Sequence, residues 1–387
     1  MKKAFTIIEL LVATALLAML IAISGMVFST AVKAHRTANA AAEVAAKLFA
    51  LTDQLNRDFQ GLRKDMPAAI WFEYDSNTGK RYDQIQFFAD GTFSSSRQWG
   101  GASLEGNTAR VYYGHANNVK IVKSTSWQRT PDATRYYNST YFTAKNTPNF
   151  YRERGTKAIL ARRAHLSVQL SSLATFPDAT NFSNAASQTA FIPWLTNTST
   201  GYGNDVFEYD NISLSDWTNI LASPTNATQY LNTCFNNATG RPGVDLTASD
   251  GESLHMVMVQ GIGSFSIQLA YTSDDMRLRG VPDSDLNRPG FAGIRWWPSL
   301  DANGDGNASD SDFGTAGMNA ASFGCYMQFP STPTLTGWYG TSGCLTGTTW
   351  RFKSDYFPKA LKFTFTLYDS NGVFKDGKTF THIVYFN

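Results

Sequence analysis

The sequence predicts an α+β protein. One long N-terminal helix begins inside a membrane and packs, further along, on antiparallel β-sheets that carry long loop-rich insertions. Three patterns predict this. Residues 5–32 are apolar, with Glu9 as their only ionisable side chain. From Lys33 to Met66 apolar residues recur every three or four positions, which marks one face of a helix. Beyond Pro67 the apolar period falls to two, the period of a strand.

At about 1.5 Å per helical residue, the 5–32 run is about 40 Å long, enough to cross a bilayer. It far exceeds the apolar region of an ordinary secretory signal, about 7–15 residues. A plain anchor would account for the length but not for Glu9. A carboxylate inside a membrane is costly, so it calls for a partner and a function. Lys2 and Lys3 put the N-terminus in the cytoplasm.

The helix continues past the apolar run as an amphipathic extension, residues 33–66. Ala45, Leu48, Thr52, Leu55, Phe59 and Leu62 form its expected buried stripe. Glu43, Lys47, Asp53, Asn56 and Lys64 lie opposite. Pro67 disfavours helical geometry at Met66 and sets the expected end.

Residues 67–387 form the β-rich body. Ile85 and Phe87 alternate with polar residues, as do Val111 and Tyr113, then Phe265, Ile267, Leu269 and Tyr271. Near the end Leu361, Phe363, Phe365 and Leu367 face one way, and Lys362, Thr364 and Thr366 the other. Asn371-Gly372 predicts a tight turn, with Phe380 to Phe386 returning as partner strand. Residues 172–250 are rich in Asn, Thr, Ser and Ala with weak periodicity, and read as an insertion rather than a second domain. A second insertion covers about 272–350. No internal repeat appears.

The net charge of +2 over 387 residues gives no electrostatic footprint for nucleic acid. An aromatic content of 14% suits a β-rich body. Of the three cysteines, Cys325 and Cys344 close a short loop and are the favoured disulfide, leaving Cys234; the sequence does not decide the pairing. His35, His115, His165, His255 and His382 lack zinc spacing, and no nucleophile elbow, P-loop or dinucleotide fingerprint appears. Trp296-Trp297 reads as a core or subunit contact rather than a sugar platform. Nothing motivates catalysis, so the chain is expected not to be an enzyme.

One motif points to a metal. Asp301-Ala-Asn303-Gly-Asp305-Gly306-Asn307-Ala-Ser309-Asp310-Ser-Asp312 fills the oxygen-ligand positions of a calcium loop. Asp301, Asn303, Asp305, the Asn307 carbonyl, Ser309 and Asp312 are the expected ligands, with Gly306 at the turn. The shorter Asp at the last position, where sensors have Glu, is similar to dockerin-type loops. Oxygen-only ligation favours calcium over zinc, in a structural role. Asp283-Ser-Asp285-Leu-Asn287 starts similarly, but Arg288 replaces the needed glycine, so it reads as a turn.

The chain start resembles the class III leader of type IV pilins and pseudopilins. Lys2-Lys3 match the basic leader (residues 1–4), Ala4 the residue before the cut, Phe5 the mature N-terminus and Glu9 its fifth residue. The family usually has Gly where this chain has Ala4, which is small enough for the same subsite. The resemblance implies cleavage after Ala4 by a prepilin peptidase, N-methylation of Phe5, and a Glu9 carboxylate that compensates the N-terminal amine of a neighbouring subunit. Leu55-Asn-Arg57-Asp58-Phe59, Gln84-Ile-Gln-Phe87, Arg110-Val111-Tyr112-Tyr113, Ala158-Ile-Leu160-Ala-Arg162-Arg163, Phe265 to Tyr271 with Trp296-Trp297, and Phe357-Pro358-Lys-Ala360-Leu361 follow in an order that resembles the J-type minor pseudopilin of the type II secretion system. That implies a type IV pilin-like fold, an inner-membrane anchor with a periplasmic body, and incorporation at the pseudopilus tip beside other minor and major pseudopilins. A type IV minor pilin with an enlarged ligand- or surface-binding body is the alternative.

Overall fold

Helix α1 runs unbroken from Ile7 to Gln60, 54 residues rich in the strong helix formers Ala and Leu. The computed structural model describes residues 6–64, 66, 68–72, 74–75, 80–99, 102–122, 128–131, 158–167, 208–210, 242–244, 256–272, 294–297, 325–329 and 358–386. The helix ends at Gln60, short of the Met66 boundary that Pro67 suggests. At Gly61 the chain joins a strand instead. Asp90 N–H donates to the Gly61 carbonyl at 2.7 Å, and Arg63 N–H to Phe88 O at 2.9 Å. A Cβ at Gly61 would lie 1.8 Å from the Asp90 carbonyl oxygen, so this approach requires glycine.

Two sheets dominate the body. In the first, six strands lie in the spatial order Val257–Gln260, Ile159–Ser167, Ala102–His115, Gln84–Trp99, Ala68–Phe72 and Cys325–Phe329, each antiparallel to its neighbours. Tyr209–Asp210 adds in parallel to Ile159–Ser167. The second sheet has the order Ile294–Trp297, Ile262–Thr272, Ala360–Leu367 and Lys378–Tyr385, all antiparallel. The described residues are therefore an α+β mix of one long helix and mainly antiparallel sheets.

The chain crosses between the sheets at two places. Gly261, at φ 78, separates Gln260 of the first sheet from Ile262 of the second, a backbone setting that suits glycine. Residues 81–83 run beside the second sheet before Gln84 enters the first; Asp83 N–H donates to Phe265 O at 2.8 Å. The Asp83 carboxylate accepts the Ile267 N–H at 2.7 Å and pairs with Arg81, whose guanidinium also donates to Ile267 O at 2.8 Å. Both side chains are buried. This ion pair supplies the hydrogen bonds that a strand neighbour would otherwise give.

The alternation of the second sheet puts Phe265, Ile267, Leu269, Leu361, Phe363, Phe365 and Leu367 into one core, as their period requires. Leu51 and Leu55 of the helix are 0% exposed in that core. Phe59 stacks on Phe87 of the first sheet at 4.2 Å and tilts against Phe363 of the second at 5.4 Å. One helical ring thus ties both sheets together.

The buried stripe of the helix is Ala40, Val44, Leu51, Leu55, Asp58 and Phe59, with Leu48 and Leu62 partly buried against it. It is rotated from the expected stripe: Ala45 and Thr52 are only half-buried. The reason is polar. Glu43 and Lys47, expected on the solvent side, grip the last hairpin connection. Glu43 accepts the Ser370 N–H at 3.0 Å and the Ser370 hydroxyl at 2.9 Å, and Lys47 donates to Tyr368 O at 2.8 Å. Burial works against the Glu43 charge, but hydrogen bonds from Lys47 and Ser370 outweigh it and hold its pKa below the usual carboxylate value. The connection is also longer than a tight turn. Gly372 has φ 64 as a turn glycine should, yet the next strand starts only at Lys378. Asp369 organises the intervening loop by accepting the Val373 and Phe374 N–H groups, each at 2.8 Å.

Candidate functional site

The two halves of α1 have opposite surroundings. In the first half the large apolar side chains are bare: Ile7 is 79% exposed and Phe28 72%. This segment is long and apolar enough to span a membrane. The second half, from Ala40 onward, is built into the body. An apolar surface of this extent on a protein in water needs a cover, and none of the described residues of the body provides one.

Glu9 sits at the open end of this segment, in a capping box. The Thr6 hydroxyl accepts the Glu9 N–H at 3.3 Å. Oε2 of Glu9 accepts the Thr6 N–H and the Thr6 hydroxyl, both at 2.9 Å. A carboxylate here also lies at the positive end of the helix dipole. The resemblance implies an external partner for Glu9; the structure adds an internal one. The Thr6-Ile-Ile-Glu9 spacing, a capping-box signature, was the signal for the internal one. Oε1 makes no hydrogen bond among the described residues and stays open to a second partner.

At the other end of the helix lies a buried polar cluster. Asp58 is 4% exposed. Arg162 grips it bidentately, Nε to Oδ2 at 2.6 Å and Nη2 to Oδ1 at 2.7 Å. The Tyr113 hydroxyl donates to Oδ2, and Gln54 Nε2 to Oδ1 at 3.0 Å. Burial and the adjacent carboxylate push the Tyr113 pKa well above its usual value, so it remains a donor. Burial works against the Arg162 charge, but its hydrogen bonds to Asp58 outweigh that and raise its pKa. The Arg57-Asp58 and Arg162-Arg163 motifs are thus joined through Asp58 and Arg162, while Arg57 points outward to Asp53 at 2.8 Å. The signal for this was Asp58 at a stripe position, three residues after Leu55 and four before Leu62.

His382 lies in the Lys378–Tyr385 strand and its Nε2 bonds Asn56 Oδ1 at 2.9 Å. Trp296 takes the Lys362 ammonium over its ring at 4.7 Å. These contacts tie the fold together and form no reactive constellation.

Ala4 and Phe5 lie outside the described residues, as do Cys344 and the acidic loop with Asp301, Asn303, Asp305, Asn307, Ser309 and Asp312. Most of the two insertions does too. The Cys325–Phe329 backbone pairs with Ala68–Phe72, bringing Cys325 opposite Phe72. Among the described residues no group of His, Cys, Asp or Glu is arranged to hold a metal. No family model, no curated protein and no solved structure matches this chain.

Proposed function

We propose that this chain is a minor pseudopilin of a type II secretion system. The observation that carries the reading is the divided helix: a bare apolar half headed by a single carboxylate, continuous with a half embedded in a β-rich body. The apolar half stores the subunit in the inner membrane with the body in the periplasm. After leader removal the subunit joins others helix to helix and leaves the bilayer as the pseudopilus grows. Its place is the tip, where it helps initiate assembly with the other minor pseudopilins. The function is assembly, not catalysis. Mass spectrometry of the mature protein tests the reading. The expected first residue is methylated Phe5. An intact Met1, or a start near His35, rejects it.

A structural calcium in the 301–312 loop belongs to the same proposal. A ligand that binds only the native state stabilises it by about 2.7 kcal/mol at a hundredfold excess over its dissociation constant. Calcium added to chelated, detergent-solubilised protein should raise the melting temperature by a few degrees. Asp301→Ala with Asp305→Ala should abolish the rise, because two ligand carboxylates are lost. Identical melting curves of the unmutated chain with and without calcium reject the site.

A further inference from the structure

The second sheet ends on an open edge. Lys378–Tyr385 is its last strand, paired with Ala360–Leu367 on one side and with nothing among the described residues on the other. Phe386 N–H donates to Lys359 O at 3.0 Å, and these two residues continue the register of the pair. Hydrogen-bonded and non-bonded pairs alternate along an antiparallel ladder. The pairs at Phe380, His382 and Val384 are therefore the bonded ones. Thr379, Thr381, Ile383 and Tyr385 turn their backbone N–H and C=O groups to the open edge. None of these groups has a partner among the described residues. Thr379, Thr381 and Tyr385 are exposed, the last at 68%.

The devices that blunt a free edge are missing from residues 379–385. The segment has no proline and no Lys, Arg, Asp or Glu, and its register with Ala360–Leu367 contains no bulge. Thr, Phe, Ile, Val and Tyr are strand formers. Beside the strand the helix leaves an apolar group uncovered. Asn56 bonds His382, and Phe49, two turns earlier on the same helical face, is 71% exposed.

An extended polypeptide fits such an edge, because it presents N–H and C=O groups at the matching interval. A second copy of this chain does not. The strand runs in the same sense as α1: Ser370, before it, meets Glu43, and Phe386, after it, meets Phe59 with ring centroids 6.2 Å apart. Antiparallel pairing of this edge between two copies would oppose their helices, and two opposed apolar halves do not enter one bilayer from one side. Exposed Lys378 stands at the start of the edge, where an antiparallel segment would end. We propose that the Lys378–Tyr385 edge takes up, as an added antiparallel strand, an extended segment of a different protein chain, with apolar side chains alternating toward the Phe49 side and an acidic C-terminal end at Lys378. The exclusion of a second copy rests on the reading that Ile7–Val32 lies in the bilayer; the open edge does not.

The probe is a synthetic peptide of the sequence Ala360–Leu367 with a free C-terminal carboxylate, whose alternation already matches this strand. Residue-resolved amide hydrogen exchange is measured on the full, detergent-solubilised chain. Without peptide, the amides of Thr379, Thr381, Ile383 and Tyr385 should exchange fast, and those of Phe380, His382 and Val384 slowly. Peptide at about ten times its dissociation constant should slow the first set about tenfold, the ratio of covered to open edge. Proline at position 381 removes an outward donor and no ladder bond, so Thr381→Pro should abolish the slowing. The peptide carrying Thr364→Pro should slow nothing on the unmutated chain, a control that does not depend on the protein variant folding. Equal exchange with and without about 1 mM peptide overturns the proposal. So does a first set that is already slow at every dilution, which means that the chain covers its own edge. A first set that slows with protein concentration alone overturns it in favour of a second copy. Free exchange across residues 7–32 overturns the membrane reading instead.

Discussion

Asp58→Ala should destabilise the body by about 3 kcal/mol, the low end of the cost of breaking a buried ion pair. The substitution leaves the Arg162 guanidinium and the Tyr113 hydroxyl facing a cavity where a carboxylate held both. The Arg162 side chain is 23% exposed and can draw in some water, which places the cost at the low end rather than the high. Removing both partners should be milder. Asp58→Leu with Arg162→Met replaces the pair by apolar groups of similar bulk and should recover most of the loss, because no charge is left unpaired. Tyr113→Phe alone removes one donor and should cost about 1 kcal/mol. Denaturant unfolding of the detergent-solubilised chain, arranged as a double-mutant cycle, reads all of these. A single-mutant loss below about 1 kcal/mol would mean that the cluster adds nothing beyond a surface bridge.

The consequence extends beyond stability. Asp58 is one residue before Phe59, whose ring touches Phe87 and Phe363 in the two sheets. The ion pair adds direction to that apolar contact: it fixes which face of the helix meets the Ile159–Ser167 strand. Toward the apolar half Glu43 and Lys47 do the same against the hairpin connection. The helix is held in register at both ends of its packed half. A pull on the apolar half is therefore transmitted to the body as a whole.

The sequence made the strand pattern legible because strands with one buried face advertise it by alternation, as Phe363, Phe365 and Leu367 do. The length of the helix was legible from composition. Its end was not. Pro67 is a local signal, whereas Gln60 is the last helical residue because residues 61–63 hydrogen-bond to strand residues 88–90, distant in sequence. The phase of the stripe differs from the expected one for a related reason. Polarity alone sends Glu43 and Lys47 to solvent, but here long-range partners at Tyr368 and Ser370 hold them against the body. The capping box at Thr6 and Glu9 is legible by its three-residue spacing, and it coexists with the external role expected of Glu9. The pairing of Asp58 with the distant Arg162, and the docking of the neighbouring Arg81 and Asp83 on the Ile267 backbone, depend on tertiary register that one sequence does not display.

Glu9 carries the second large effect, and its two substitutions separate two roles. Glu9→Leu removes the charge and the acceptor for the Thr6 N–H together. Such a chain should insert in the membrane at least as well, since an ionisable group is lost from an apolar segment. If the chain is the minor pseudopilin proposed above, it should fail to assemble, with incorporated subunit at background in sheared filament fractions. Glu9→Gln removes the charge alone. Glutamine at this position still completes a capping box with Thr6, so the helix start keeps its local hydrogen bonds. If Glu9 acts by pairing with the N-terminal amine of a neighbouring subunit, the Gln variant should fail as the Leu variant does, because an amide is a poor partner for a cation in lipid. Equal membrane content of both variants, measured on the same cells, separates assembly from expression. A Gln variant that assembles like the unmutated chain would reduce Glu9 to a helix cap and remove the charge from the mechanism.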